Sequence, residues 1–372
     1  MEEFEMYILD ESFAHIYLVD AFESMIWTDR YDEAGDFELY LSAESSALGY
    51  LKHGYYLWNK HSDRLMIIET IEITTDVENG SHCKVTGRSL ESILDRRIIW
   101  HQVTVEGKIQ TVIKKLITDQ IISPQLSARR ISNFVFKDTT DNYIDTCEIE
   151  QVQYLGENLY DVIIDIISVF NVGFKIIYNE STGNFEFSLY YGKDRSYAQD
   201  ANPWVVFSPE FDNIITSDYV ESVLPYKNAN LVAGEEREGY SRKFVYVDDG
   251  STVTGLNRRE MFTDGSSKTQ EYKDENDQDV VLTDAQYVSV LRELGLEEMY
   301  KSENRFETAF DGQMNTIRGF TYGTDFYIGD IVQMRNEYGM EAPARVVEMI
   351  MSQSTSGVEM YPTFKAIEGD DL

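Results

Sequence analysis

Apolar and polar positions alternate along the first hundred residues. "FEMYILD", "HIYLVDAF", "DFELYLS", "YYLWNK", "RLMIIETIEITTD" and "HCKVTG" are rich in β-formers and are separated by turn residues. In "DFELYLS" the side chains of Phe37, Leu39 and Leu41 share one face, because a strand repeats every two residues. Asn79-Gly80 predicts a tight hairpin. A short helix is expected over "LESILDRR", with Ser89 as its N-cap. The period then lengthens. Ile109, Val112, Ile113, Leu116 and Ile117 line one face of a helix, as do Leu159, Val162, Ile163, Ile166, Ile167 and Phe170 of a second. "VGFKIIYN" and "NFEFSLYYG" follow as a strand pair around "ESTG".

Strands return after about residue 206 in "NIITSDYVES", "NANLVAGE" and "RKFVYVDDGSTVTG", the last with a turn at Asp249-Gly250. An acidic stretch, "YKDENDQDVVL", precedes a helix whose Thr283 and Gln286 form a capping box. The tail is β again. The expected class is α+β, mainly β. The expected domains are 1–100, 101–205 as an α+β insertion, and 206–372 with a helical insertion near 283–302.

The tail resembles the head. Phe37-Glu38, Gly54-Tyr55-Tyr56-Leu57, Arg64, "IIETIEI" from Ile67 and "HCKVTG" are matched in order by Phe306-Glu307, Gly329-Asp330-Ile331-Val332, Arg345, "VVEMIMS" from Val346 and "MYPTFK". Two unrelated β-meanders could share such an order. A true repeat would mean two copies of a small β-barrel per chain, so that three chains would present six near-equivalent barrels.

Composition narrows the function. Lys plus Arg number 32 against 66 acids, a net charge of −34. Such a surface repels nucleic acid and anionic membranes. It serves solubility, reflects the habit of the source, or lets nucleic acid pass without sticking. The apolar content of 42% supports a folded core. Cys83 and Cys147 have neither CxxC spacing nor a neighbouring His at ligand distance, which points to a reducing compartment without disulfide or zinc. "MEEFEMYILDES" lacks a basic leader, and the most apolar stretch, residues 162–174, is too short and polar to span a bilayer.

No motif carries chemistry. The five histidines form no HExxH pair, "GRSLE" lacks the second glycine of a nucleophile elbow, and no phosphate-binding glycine loop is present. "DENDQDVVLTDA" spaces oxygen ligands like a calcium loop, yet Asp279 stands at the glycine position and Ala285 at the bidentate glutamate. Asp32, Glu33 and Asp36 lie close in sequence and are expected to face water. Two rival readings stand beside a structural role. One is a cell-wall hydrolase with a carboxylate pair across a cleft. The other is a carbohydrate-binding module using Trp58, Trp100 or Trp204.

"WTDRYDEAGDFELYL" holds an aromatic, an arginine, five acids and a glycine. It reads as a strand ending at Trp27, a "DEAG" turn with Gly35 free to take positive φ, and the next strand from Phe37. Arg30 is placed to pair with an acid or stack on an aromatic. This stretch, the "RLMIIETIEI" strand, "KVTGRSLESILDRRII" and "YIGDIVQM…ARVVEMIMS" resemble a family of siphovirus tail proteins, the ReqiPepy6-type tail-tip or baseplate-hub (Tal-like) proteins.

The resemblance implies two tail-tube-like β-barrels with α+β insertions. It implies a homotrimer below a sixfold distal-tail ring, with tape-measure and fibre or receptor-binding proteins as further partners. A central channel would pass DNA without specific binding. It implies a virion location at the tail tip, assembly in the bacterial cytoplasm, and no catalytic residue, cofactor or metal. Trp27, Arg30, Gly35, Phe37, Glu69, Gly87, Arg88, Arg97, Gly329, Asp330 and Glu348 would be fold-motif or assembly positions. Many such hubs continue into a hydrolase or fibre region, whereas this sequence stops at "AIEGDDL", so wall lysis and receptor binding are expected of other subunits. A defective prophage or phage-derived particle would use the same part.

Overall fold

The computed structural model describes residues 4–76, 80–250, 254–274, 276–305, 307–314, 319–336 and 341–367. Asn79 of the expected hairpin, Glu275 of the acidic stretch, residues 251–253 and Phe306 lie outside them. The chain forms two compact units and passes between them four times. Unit 1 comprises residues 1–92, 173–220 and 308–372, and unit 2 comprises 93–172 and 221–307.

The first passage carries β1 (Met6–Leu9), β2 (His15–Val19), β3 (Ser24–Arg30), β4 (Asp36–Ser42), β5 (Tyr56–Asn59), β6 (Leu65–Asp76) and β7 (Gly80–Ser89). The second holds β8 (Val103–Lys108), α1 (Ile109–Ile117), β9 (Phe134–Lys137), β10 (Glu148–Tyr154) and α2 (Leu159–Ser168). The third holds β11 (Gly173–Asn179), β12 (Asn184–Tyr190), β13 (Val206–Phe207) and β14 (Ile214–Ser222). The fourth holds β15 (Ala229–Ala233), β16 (Phe244–Asp248), β17 (Glu260–Asp264), β18 (Glu271–Lys273), β19 (Asp279–Val281) and α3 (Asp284–Tyr300). The last holds β20 (Glu307–Met314), β21 (Ile331–Arg335), β22 (Glu341–Ser354) and β23 (Gly357–Ala366).

Unit 1 is built on one large sheet ordered β14-β20-β23-β22-β3-β4-β7-β6-β5-β1-β2, with β21 on β22 and β13 parallel to β21. Trp27, Phe37, Leu39, Leu41, Met349 and Phe364 are wholly buried in its core. The alternation read from "DFELYLS" places Phe37, Leu39 and Leu41 inward. Trp27 lies in the middle of β3 rather than at its end, because pairing with β22 continues to Arg30. This partition differs from three consecutive segments. The β11–β12 hairpin packs with unit 1: the Phe174 N–H donates to the Tyr31 carbonyl at 3.2 Å and the Ile176 N–H to Glu91 at 2.9 Å.

The repeat takes an exact backbone form. The order β3-β4-β7-β6-β5 recurs as β14-β20-β23-β22-β21. In the head, the Gly54 N–H donates to the Ile68 carbonyl (2.9 Å) and the Ile68 N–H to the Tyr55 carbonyl (2.8 Å). In the tail, Gly329 and Val346 (2.8 Å) and Val346 and Asp330 (2.9 Å) make the same two bonds. One residue later each long strand carries a β-bulge, between Ile68 and Thr70 and between Val346 and Glu348. Ile68 therefore corresponds to Val346, one residue off the match read from the letters. Glu69 corresponds to Val347, Thr70 to Glu348, and Arg64 is not the counterpart of Arg345. Phe37 pairs with Gly87 as Phe310 pairs with Phe364, so the backbone counterpart of Phe37 is Phe310.

Unit 2 mixes helices and short sheets. α1 and α2 bury the two apolar faces read from the sequence, except that Phe170 is half-buried. α1 runs on into a π turn, Thr118–Ile122. α2 packs on both α1 and α3. α3 starts at the Thr283–Gln286 capping box and packs on β10, β15 and β16. Gly295 admits Val232, whose methyl would stand 2.7 Å from an added Cβ.

Candidate functional site

Several of the expected motif positions converge where head and tail copies join. β3 and β22 pair antiparallel from Ser24↔Ser354 to Arg30↔Glu348. At the end of this junction the Arg30 guanidinium donates to Glu348 (2.9 Å), Asp36 (2.6 Å) and the Ala34 carbonyl (2.9 Å). Burial opposes its charge, but the Asp36 and Glu348 carboxylates outweigh that and raise its pKa. Thr363 donates to the other Glu348 oxygen at 3.1 Å. Asp36 is thus held by Arg30 rather than left to water, Asp32 is half-buried and Glu33 is exposed.

The two glycines serve close approach. Gly35 does not take positive φ; an added Cβ would stand 2.2 Å from the Thr28 carbonyl oxygen. Its N–H donates to the Ser89 hydroxyl at 2.8 Å, so Ser89 ends β7 and braces the turn. A Cβ on Gly87 would stand 1.7 Å from the Ile67 carbonyl oxygen and 3.0 Å from the Phe37 ring. Beside it, Arg88 forms a fork with Glu69 at 2.9 and 3.1 Å. Trp27 donates its indole N–H to Asp29 at 3.0 Å.

Gly329 and Asp330 form a second cluster in the same unit. Gly329 has φ 91° and lies against the rings of Tyr31 and Tyr190. Asp330 is buried and accepts from Arg195 Nε and the Lys193 N–H, both at 2.7 Å. Arg345 stacks over Tyr31 and Tyr191 and donates to the Gly329 carbonyl at 2.6 Å. Arg97 belongs to unit 2, where it holds the Arg129 carbonyl at 2.9 and 3.2 Å.

Sequence reasoning missed the buried electrostatics. Arg64 pairs with Glu91 in the core of unit 1. Asp29 accepts from Trp27 and Ser62, and burial raises its pKa to about 6. In unit 2, Tyr154 donates to Glu297, and burial raises Glu297 and Glu293 to about 7. Arg64 and Glu91, Asp29 and Ser62, and Tyr154 and Glu297 lie far apart in sequence, so no spacing announces these pairs.

A cleft of about 440 Å³ in unit 1 is lined by His61, Asp63, Arg64, Lys175, Tyr190 and Tyr322. Its charges are already mutually engaged: Asp63 meets Lys175 at 2.9 Å and Arg64 at 3.5 Å. Among the described residues, no group of three or more His, Cys, Asp or Glu side chains comes together to hold a metal. Cys83 and Cys147 are buried and free. Trp58 packs with Tyr7 and His15, Trp100 lies under Arg129, and Trp204 donates to the Gln199 carbonyl at 2.9 Å.

The family model of siphovirus ReqiPepy6 Gp37-like proteins matches residues 5–364. The chain belongs to this family of siphovirus tail proteins. Solved structures agree on the fold. The 43 kDa tail protein of prophage MuSo2 from Shewanella oneidensis superposes with a TM-score of 0.60 at 10% identity, covering 99% of each chain. A tail protein of Neisseria meningitidis MC58 gives 0.54 at 11% identity over 99% of this chain and 98% of that one. Prophage tail protein gp18 of Listeria monocytogenes EGD-e gives 0.50 at 11% identity, over 96% and 94%. No curated protein sequence matches the chain. The ReqiPepy6 Gp37-like chain is thus a phage tail structural protein with a mainly β tail-type fold. Among its described residues no helix is long and apolar enough to cross a membrane.

Proposed function

We propose that the chain is the hub at the tip of a siphovirus tail, trimeric when assembled. The observation that carries this is the doubled strand order, β3-β4-β7-β6-β5 and β14-β20-β23-β22-β21, in one sheet. Each copy would close as a tail-tube-like barrel, so three chains offer six near-equivalent modules to a sixfold distal-tail ring while keeping threefold symmetry below. Three such chains would form one ring of six modules. Its lumen would carry DNA or the tape-measure protein, and the excess of acids, 66 against 32 basic residues, would let DNA slide rather than bind. Opening on host contact is mechanical, and the chain carries out no catalysis. Fibre or receptor-binding proteins attach to the hub in the virion.

A stable trimer of this kind buries more than about 2,000 Å² in total. Light scattering on the full chain, alone and with the neighbouring distal-tail ring protein, tests the reading. A threefold mass in either condition is expected. A strict monomer that ignores the ring overturns it, as does immunolabelling of particles away from the tail tip.

A further inference from the structure

A second cleft, of about 290 Å³, lies wholly within unit 2. Residues 100–104, which lead into β8, and the π turn after α1 line one side, and the β18–β19 hairpin lines the other. Two hydrogen bonds tie the sides together. Gln102 Nε2 donates to Thr269 at 2.8 Å, and Thr104 Oγ1 and the Tyr272 hydroxyl meet at 2.7 Å. Trp100 lines the cleft with one face of its indole on the Arg129 guanidinium, 4.8 Å from the ring centre, and is still 50% exposed. Arg129 is itself pinned, donating to Gln120 Oε1 at 3.0 Å and to the Ile98 carbonyl at 2.7 Å. The same Gln120 oxygen accepts from the Trp100 N–H at 3.2 Å. The ring is therefore held in place before anything binds.

The polar groups of the cleft sort into two kinds. The charged ones are spent on neighbours. Lys115 meets Asp119 at 2.5 Å, Arg129 is engaged as above, and Asp274 accepts from the Asn276 and Gln278 N–H groups, both at 2.9 Å. These two cations and two anions cancel, in a chain whose net charge is −34. The neutral ones keep capacity. Gln102 retains its amide oxygen, and His101 Nε2 is buried with no hydrogen-bond partner among the described residues. Such an atom is costly unless a water or a ligand meets it.

We propose that this cleft binds a neutral sugar ring of the host cell surface, stacked on the exposed face of Trp100 and hydrogen-bonded by His101 and Gln102. A sugar presents an apolar face of C–H groups and a belt of hydroxyls that donate and accept, which suits a rigid aromatic platform edged by neutral polar groups. Paired charges leave nothing to attract a phosphate or a uronic acid. The inference goes beyond the hub reading, because the site lies within one unit of one chain and needs no trimer.

Saturation-transfer NMR on the full chain tests it. Galactose, rhamnose and N-acetylglucosamine oligosaccharides are the neutral probes, and glucuronic acid and sialic acid the charged ones. Saturation of the ring C–H protons of a neutral probe is expected. N-acetylglucosamine oligomers as that probe would point to the wall glycan, and galactose or rhamnose to a surface polysaccharide. Trp100→Leu, which stays apolar but removes the ring, should weaken binding about tenfold or more. Trp204→Leu, an equally exposed tryptophan of unit 1, should leave it unchanged. His101→Ala should weaken binding too, and circular dichroism checks that each variant is folded. Binding indifferent to Trp100→Leu and His101→Ala, a preference for the charged probes, or no binding of any neutral probe overturns the site and leaves the hub standing. A strict monomer that binds the sugar overturns the hub and leaves the site.

Discussion

At corresponding positions the head copy carries Gly87 and the tail copy Phe364. Each stands opposite the residue just before the bulge, Ile68 or Val346. In the head, the ring of Phe37 on the neighbouring strand covers the glycine. In the tail, Phe364 itself is buried and packs on Phe207 with ring centroids 5.0 Å apart. The copies share hydrogen bonds, bulge and strand order, but fill the core from different strands. A repeat at this distance lives in the backbone ladder, and the side chains answer to total volume.

Substitutions can break that comparison. The largest effect is expected at Gly87→Ala, because a methyl cannot coexist with the Ile67 carbonyl without moving the bulge. A loss of about 5 kcal/mol, seen as little soluble protein, is expected. Phe364→Ala should cost about 3–5 kcal/mol in denaturant unfolding by opening a cavity. Small effects at both positions would show that neither is a tightly packed core site.

A third experiment probes the acid buried in β3 of the head copy. The folded pKa of Asp29, about 6, stands above its unfolded value. The folded state therefore holds the extra proton between about pH 4 and pH 6, and this contribution to stability falls as pH rises through that window. Relative to Asp29→Asn, the wild type should lose about 2 kcal/mol between pH 4 and pH 7. A pH-independent difference would refute the assignment. Smaller effects sharpen the junction. Glu348→Gln should cost about 1–2 kcal/mol, since Arg30 keeps Asp36. Glu69→Gln should cost less than about 1 kcal/mol, because the fork with Arg88 is more exposed.

Much of the fold was legible because period-two and period-3.6 patterns are local. The alternation of Phe37, Leu39 and Leu41 and the stripe from Ile109 to Ile117 each emerge as buried faces. The repeat was legible in order but not in register: the letters set Ile67 against Val346 and Phe37 against Phe306, whereas the backbone ladder sets Ile68 against Val346 and Phe37 against Phe310. Gly35 and Gly87 stood out as glycines, yet close approach rather than positive φ decides both. The Arg64–Glu91 pair stayed hidden because its partners lie 27 residues apart on different elements. The two interleaved units stayed hidden too, since which strands share a sheet is decided by contacts between distant passages.

The junction of β3 with β22 also has a consequence in time. Arg30 and Glu348 are 318 residues apart, so β3 leaves the ribosome long before its partner exists. At about 5–20 residues per second the delay is roughly 15–60 s. Throughout it the outer edge of β3 stands open to other nascent chains. Contacts this distant in sequence also slow folding. Yield of this protein in a cell should therefore depend on translation speed and on chaperones that shield the first ninety residues until the last thirty arrive.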